Sequence, residues 1–398
     1  MKYLRILIAL LLSLNLLANE CSAELPFLQD ESKFDEIESL VLKAIGDGEM
    51  AGAVVCIGNA QGIEFLEAFG QRQQEPTPEP MSTDTLFDLA SLTKPMATAT
   101  SVMLLIEQNK IELKSPVAKY IPEFADNGKD AITIEQLLLH TSGLIPDNAL
   151  SDYANGPEAA MKNIFALTPR TQPGAKFAYS DVGFIVLAEV IRRVTDQDVH
   201  AFSQEAIFQK LGMQETGFNP DAALHARTAS TQQRDGKWMK GTVHDPRAFA
   251  LQGIAGHAGL FSTAHDLALY AQMFLNHGTL KKQQILKPQT IELMTARYQV
   301  SSGYRGLGWD KQTGYSSNRG SSMSEQAFGH GGFTGTSIWI DPELDLFVIF
   351  LSNRLHPDGK GSVNGLAGRI GTIAANQKIE ENQQGNHSPV ECFFTEFD

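Results

Sequence analysis

The chain has 398 residues, 42% of them hydrophobic and 20% charged, which suits one large or two ordinary domains with full cores and excludes a fibrous or disordered protein. Its formal net charge of -14 removes the basic footprint needed to grip phosphate backbones, so nucleic acid is not an expected partner. Its 3 cysteines are too few for a disulfide framework.

At the N-terminus, Lys2 and Arg5 precede an apolar run from Ile6 to Ala18, too short for a comfortable bilayer span, and Cys21-Ser22-Ala23 ends in a small residue. Residues 1–23 therefore read as a secretory signal peptide cut after Ala23, which implies a secreted or periplasmic protein. An uncleaved membrane anchor is the alternative. Glu20 stands where a lipoprotein signal carries a small residue, which argues against lipid attachment at Cys21. Cys56, inside an apolar run, reads as a small buried hydrophobe, and Cys392 lies in a polar tail.

Phe34, Ile37, Leu40, Val41 and Ala44 recur at helical spacing before Gly46 and Gly48, so a first amphipathic helix is predicted. Ala51 to Ile57 and Ile63 to Ala68 read as strands of a hairpin, and Gln71 to Pro80 as a polar surface connection. The run from Leu92 to Gln108 reads as a largely buried helix, with Pro95 tolerable only in its first turn.

From Ile111 to Lys287 helical periods alternate with Pro and Gly loops. Thr133 is a predicted cap for a helix that Gly143 stops, Val182 to Val194 is another helix, and Thr263 to Asp266 has the spacing of a capping box. Strand signals return at Gly306 to Trp309, Thr336 to Ile340 and Leu346 to Leu351; Gly365 to Ala375 reads as a closing helix and Gln377 to Asp398 as a disordered tail. The economical architecture is α+β: one antiparallel sheet built from both chain ends (33–110 and 288–376), flanked by helices, with a mainly helical domain (111–287) inserted and a cleft between them.

The stretch Asp88-Leu-Ala-Ser-Leu-Thr-Lys-Pro95 places Ser91 at the start of a helix and Lys94 one turn on, within reach of its hydroxyl. A serine hydroxyl needs an adjacent base to become a nucleophile, and this spacing provides one. Tyr179 lies on a loop just ahead of a helix, where a phenol can relay a proton. Gly329-His-Gly-Gly-Phe-Thr-Gly335 joins a strand on which a substrate can lie close to the backbone, and Gly253 to Thr263 is a glycine-dense loop. Each also has a plain structural reading: Tyr179 as a capped core tyrosine, the glycine runs as tight turns, His330 as a surface or core histidine. No His-Glu-x-x-His or comparable ligand spacing is present, so neither metal nor cofactor is expected.

As an ordered set, Ser91-x-x-Lys94, Tyr179-Ser-Asp181 and His330-Gly331-Gly332 resemble the three motifs of the serine beta-lactamase and penicillin-binding protein superfamily, closest to its class C branch, over residues 33 to 375. Leu139-His-Thr-Ser-Gly-Leu144, Val243-His-Asp-Pro-Arg-Ala-Phe249, Gly259-Leu-Phe-Ser-Thr-Ala264 and Phe350-Leu-Ser-Asn-Arg354 are similar to that branch too. The resemblance implies a beta-lactamase/transpeptidase-like fold and an acyl-enzyme on Ser91, with Lys94 and Tyr179 as coupled base and acid. It also implies an oxyanion hole from the backbone N–H groups of Ser91 and Phe333, and substrate contacts from Asp181, His330, Gly331 and Gly332.

Two departures stand out. Asp181 replaces an Asn, and an ionised carboxylate there favours the charged form of Lys94; His330 replaces a permanent cation. Asp181 as a helix cap is the alternative reading of that residue. The expected function is a secreted serine hydrolase acting on a small amide or ester, with D-amino-acid peptides of peptidoglycan implied as substrates. A related carboxylesterase is the alternative, and a non-catalytic wall-binding protein the alternative of another class.

Overall fold

The computed structural model describes residues 34 to 385. The expected signal peptide, Cys21, Cys392 and the tail beyond 385 lie outside the described residues. Helix α1 (Asp35–Gly46) turns Ile37, Val41 and Ala44 inward, as its period predicts. It leads into β1 (Gly52–Gly58), β2 (Ile63–Gln73) and β3 (Glu79–Pro80). From the other chain end come β7 (Tyr298–Val300), β8 (Gly303–Arg305), β9 (Asp310–Gln312), β10 (Phe328–Gly332), β11 (Thr336–Asp341) and β12 (Leu346–Ser352). Together they form a 9-stranded sheet in the order β7-β8-β9-β10-β11-β12-β1-β2-β3, with the pairs antiparallel.

The central strands are buried on both faces, and their alternation sorts the side chains. Val54, Cys56, Phe347, Ile349 and Leu351 face one core, while Ala53, Val55, Ile57, Leu346, Val348 and Phe350 face the other. The second core is closed by α1 and by α10 (Asn364–Gly385) through Leu366, Ala367 and Ile370. The first is closed by the middle of the chain. There lie α2 (Thr100–Glu107), α3 (Ile134–Leu138), α4 (Pro157–Phe165), α5 (Asp181–Thr195), α6 (Val199–Ser203), α7 (Pro246–Ala250), α8 (Ala264–Leu275) and α9 (Pro288–Thr295). Each large aliphatic or aromatic side chain buried in these layers contributes about 1.5–3 kcal/mol.

This middle segment also carries strands: β5 (Gly217–Phe218) and β6 (Leu260–Ser262) join β4 (Phe87–Asp88), which precedes it, in a small sheet in the order β4-β6-β5 that leads the chain to Ser91. Several local expectations are corrected. Residues 306 to 309 are the turn between β8 and β9 and not a strand: Gly308 has φ 84°, and its close approach to Ala99 leaves no room for a Cβ. The connection after β2 is partly sheet, since Gln71 and Gln73 pair with Pro80 and Glu79 at the edge, and Gln73 is buried.

Helix α3 has the predicted Thr133 cap, completed by Gln136, but it ends at Leu138. His140, at φ 56°, takes the left-handed position, with N–H groups of His140 and Thr141 bonding back to the carbonyls of Leu137 and Gln136. Gly143 serves another need, because a Cβ there would meet the Thr171 carbonyl at 2.2 Å. At Thr263 only half of the capping box forms, as the Asp266 carboxylate turns to Thr216. Residues 377 to 385 continue α10, where Lys378 reaches Glu64 on β2 at 2.8 Å.

Candidate active site

Ser91 is held by an over-determined turn. Ala90 adopts φ 46°, a left-handed conformation unfavourable for a residue with a Cβ, and the side chains of two neighbours, Asp88 and Thr93, hold it there. The Asp88 carboxylate accepts from the Ala90 N–H at 2.9 Å and from the His244 N–H at 2.6 Å, and Thr93 donates to the Ala90 carbonyl at 2.7 Å. From the sheet, Thr334 donates to the Asp88 carbonyl at 2.7 Å and Thr336 to the Leu89 carbonyl at 3.1 Å. Gly332 permits this approach, since a Cβ on it would lie 2.4 Å from the Leu89 carbonyl. The chain then enters a π-helical turn, Lys94–Ala99, with Pro95 in its first turn, and continues as α2.

Lys94 is completely buried, and its Nζ lies 2.9 Å from Ser91 Oγ, 2.6 Å from Asp181 Oδ1 and 3.1 Å from the His257 carbonyl. Burial alone would pull its pKa down, but Asp181 and Tyr179 outweigh burial and hold the ammonium above the ordinary lysine range. Asp181 is not the helix cap: Ser180 caps α5 by accepting from the Gly183 N–H at 3.2 Å, which leaves Asp181 in the first turn with its carboxylate on Lys94.

The Tyr179 ring lies beside Lys94, whose Nζ is 4.9 Å from its centroid, and Lys94 and Ser91 are the polar neighbours of its hydroxyl. Its pKa is pushed up by burial, against the lowering charge of Lys94. The ring is stacked between His140 at 4.4 Å and Tyr315 at 4.9 Å, so its position is fixed from both faces. His140 Nδ1 accepts the Ser180 N–H at 3.0 Å, which ties the end of α3 to the start of α5.

Ser91, Tyr179, His330, Gly331, Gly332 and Phe333 line one cavity of about 360 Å³. A larger one, about 840 Å³, opens between α4 and α5 and does not reach Ser91. His330 on β10 is buried, and its pKa is held well below the usual value, by burial and then by the charges of Arg305 and Lys94, so the imidazole is neutral. The wall cations are Arg305 and Arg354, which both line this cavity. Arg305, on β8, is fully buried against the same cavity; its Nη1 donates to Asp310 at 3.2 Å, and its Nε and Nη2 have no partner. No sequence motif marked this arginine.

Nor did any motif mark Asp245 and His257 as a pair, although both lie in stretches singled out above. His257 Nε2 lies 2.9 Å from Asp245 Oδ1, and these two with Asp181 place three ligand-type atoms within 4.8 Å of one another.

A family model described as Beta-lactamase matches residues 35–370. The chain is 30% identical over 363 residues to "N-acetylmuramyl-L-alanine amidase" of Bacillus subtilis (strain 168), covering 81% of each chain. It is also 30% identical over 395 residues to "Putative D-alanyl-D-alanine carboxypeptidase" of Escherichia coli (strain K12), covering 87% of this chain and 91% of that one. Among solved structures, a penicillin-binding protein homolog from Caulobacter crescentus superposes with TM-score 0.70 at 22% identity, over 87% of this chain and 97% of that one. "A family VIII carboxylesterase" does so with TM-score 0.69 at 23% identity, over 87% and 97%. At these identities the solved structures establish the fold, an α+β beta-lactamase/transpeptidase-like one; the family model and the relatives in sequence go further, and the chain belongs to the beta-lactamase family, within the superfamily of serine beta-lactamases and penicillin-binding proteins.

Proposed function

We propose that the protein is an acyl-enzyme hydrolase that uses Ser91 to open an amide or ester bond in a small substrate bearing a carboxylate. One observation carries the reading: the Ser91 hydroxyl, 2.9 Å from Lys94 Nζ and beside the Tyr179 phenol, faces a cavity whose wall is backed by the buried cation Arg305. Ser91 Oγ bonds to the acyl carbon while its proton passes to the Lys94–Tyr179 pair, which returns a proton to the departing amine or alcohol; water then releases the acyl group by the same route reversed. The reactive form of the pair is the one holding one proton fewer, shared between amine and phenol. Backbone N–H groups of Ser91 and Phe333 receive the developing oxyanion, each such donor contributing about 3 kcal/mol.

The substrate class follows from charge. His330 is neutral and offers no ionic contact, whereas Arg305 sets a positive charge immediately behind the cavity wall, which favours a carboxylate there. Fragments of peptidoglycan carry such carboxylates beside amide bonds, and the relatives named as a muramyl-alanine amidase and a D-Ala-D-Ala carboxypeptidase support that class. The N-terminal signal-like segment supports action outside the cytoplasm. Mass spectrometry of the intact protein after a fluorophosphonate, a penicillin and a muramyl peptide tests the reading. A single acyl or phosphonyl adduct on Ser91 is expected, and an adduct on another serine, or none with any probe, would overturn it.

A further inference from the structure

We propose that Asp181, Asp245 and His257 form a binding site for one divalent transition-metal ion immediately behind Lys94. The three donors come from separate elements: Asp181 opens α5, Asp245 caps α7, and His257 lies on the glycine loop that follows α7. They converge nevertheless, with their ligand atoms all within 4.8 Å of one another. The loop reaches this position only because Gly256 has no side chain; a Cβ there would lie 2.0 Å from the Phe184 carbonyl of α5. Thr98 then pins the same residue, donating to the Gly256 carbonyl at 2.7 Å.

Ordinary packing leaves two of these groups unfinished, while Asp245 Oδ1 already accepts from the N–H groups of Arg247 and Ala248 at 2.9 and 2.7 Å. His257 is fully buried, yet with one ring nitrogen facing Asp245 at 2.9 Å its Nδ1 has no partner. Apart from its ion pair with Lys94, Asp181 Oδ1 is buried with no hydrogen-bond donor. Among the described residues Asp245 meets no lysine or arginine within ion-pair distance. Arg247, the arginine nearest in sequence, is turned away, donating to the Asn148 carbonyl at 2.7 and 2.9 Å and facing Asp147 at 3.5 Å. Two carboxylates and an imidazole therefore share one ammonium in a spot largely shielded from water, where an unbalanced charge is expensive. Two carboxylate oxygens and one imidazole nitrogen suit zinc or a neighbouring first-row ion. Sequence spacing gave no hint of this, because the ligands are not grouped along one helix.

The test is calorimetric titration of zinc chloride into untagged full-length protein stripped with a chelator, with metal content measured after dialysis. One equivalent of zinc is expected to bind. Both His257→Gln and Asp245→Asn should weaken binding by more than the roughly 10- to 100-fold typical of a supporting residue. Circular dichroism checks that each variant folds; if neither does, Asp181→Asn, whose side chain reaches solvent, replaces them. Cobalt substituted for zinc gives a second reading, a visible absorption band that His257→Gln abolishes. Failure of the wild-type protein to bind stoichiometric zinc, or binding undiminished in the folded variants, would overturn the site. The measurement reads metal and not turnover, so its failure leaves the Ser91 reading standing, and the converse.

Discussion

Arg305 and Asp310 pair at 3.2 Å while both are buried, and the pairing uses only one of the arginine's donor nitrogens. Asp310 needs the arginine less than the arginine needs a second partner, because Thr313 and Ser316 also donate to that carboxylate, at 2.8 and 2.6 Å. Arg305→Met is therefore expected to fold, and to raise KM for carboxylate-bearing substrates by about 10- to 100-fold, the range of a charged hydrogen bond. Simple neutral esters should be turned over as before. Steady-state kinetics on matched substrates with and without the carboxylate decides it; an equal loss on both would remove the recognition role.

Lys94 Nζ lies 2.9 Å from Ser91 Oγ and Tyr179 lines the same cavity as Ser91, and in the proposed mechanism the two handle one proton between them. Lys94→Met and Tyr179→Phe should each lower kcat by two or more orders of magnitude, roughly the range of general acid–base catalysis, and the double variant should be little worse than the poorer single one. Ser91→Ala should form no adduct at all. If the two single losses multiply in the double variant, the residues do not share a step.

Ala90 stands in a left-handed conformation just ahead of Ser91. Replacing it with glycine removes a conformational penalty of about 1 kcal/mol but also frees the turn. The expected result is unchanged or higher stability, by up to about 1 kcal/mol, together with acylation slowed about tenfold. Thermal melts and a stopped-flow acylation assay check the two halves. A variant that is less stable, or that acylates as fast as wild type, would show that the strain does not serve to fix Ser91.

Asp88 is the group through which pH should reach stability. Burial, the largest influence, raises its pKa from 3.8 to about 6 against the two backbone N–H groups that favour the carboxylate. The folded protein thus holds this proton more tightly than the unfolded chain. The associated stability is present in full below about pH 4 and is lost as pH rises to about 6, an amount of about 3 kcal/mol. In Asp88→Asn this contribution disappears, so the variant's stability between pH 4 and 6 should rise relative to wild type as pH increases. Denaturant melts of both proteins across that range would contradict the assignment if the curves ran parallel.

The parts of this protein that the sequence made legible are those whose contacts are local. Ser91 and Lys94 lie within one helical turn, and the alternation of β1 and β12 follows from burial on two faces. Arg305 and the pairing of Asp245 with His257 were not legible, because their significance depends on strands and loops brought together across the chain, with no spacing rule to mark them. Gly143 misled for a related reason: a glycine next to a helix end suggests a stop, but this one accommodates the Thr171 carbonyl, and His140 adopts the left-handed angle instead. The polar residues beyond Gln377 read as disordered because Lys378 has its partner, Glu64, on a strand more than three hundred residues earlier.

Strand β12 lies between β11 and β1, so the N-terminal hairpin joins the rest of the large sheet only through residues near the end of the chain. Asn353, immediately after it, completes the seam by accepting the Gly52 N–H at 3.0 Å and donating to the carbonyls of Gln71 and Arg72. As the protein is synthesised, β1 emerges hundreds of residues before the strand that covers its edge. A product that stops before residue 346 leaves the edges of β1 and β11 both open, each a template for another chain. Such a fragment already contains Ser91, Lys94, Tyr179 and His330, yet its fate is aggregation or proteolysis and not weak activity.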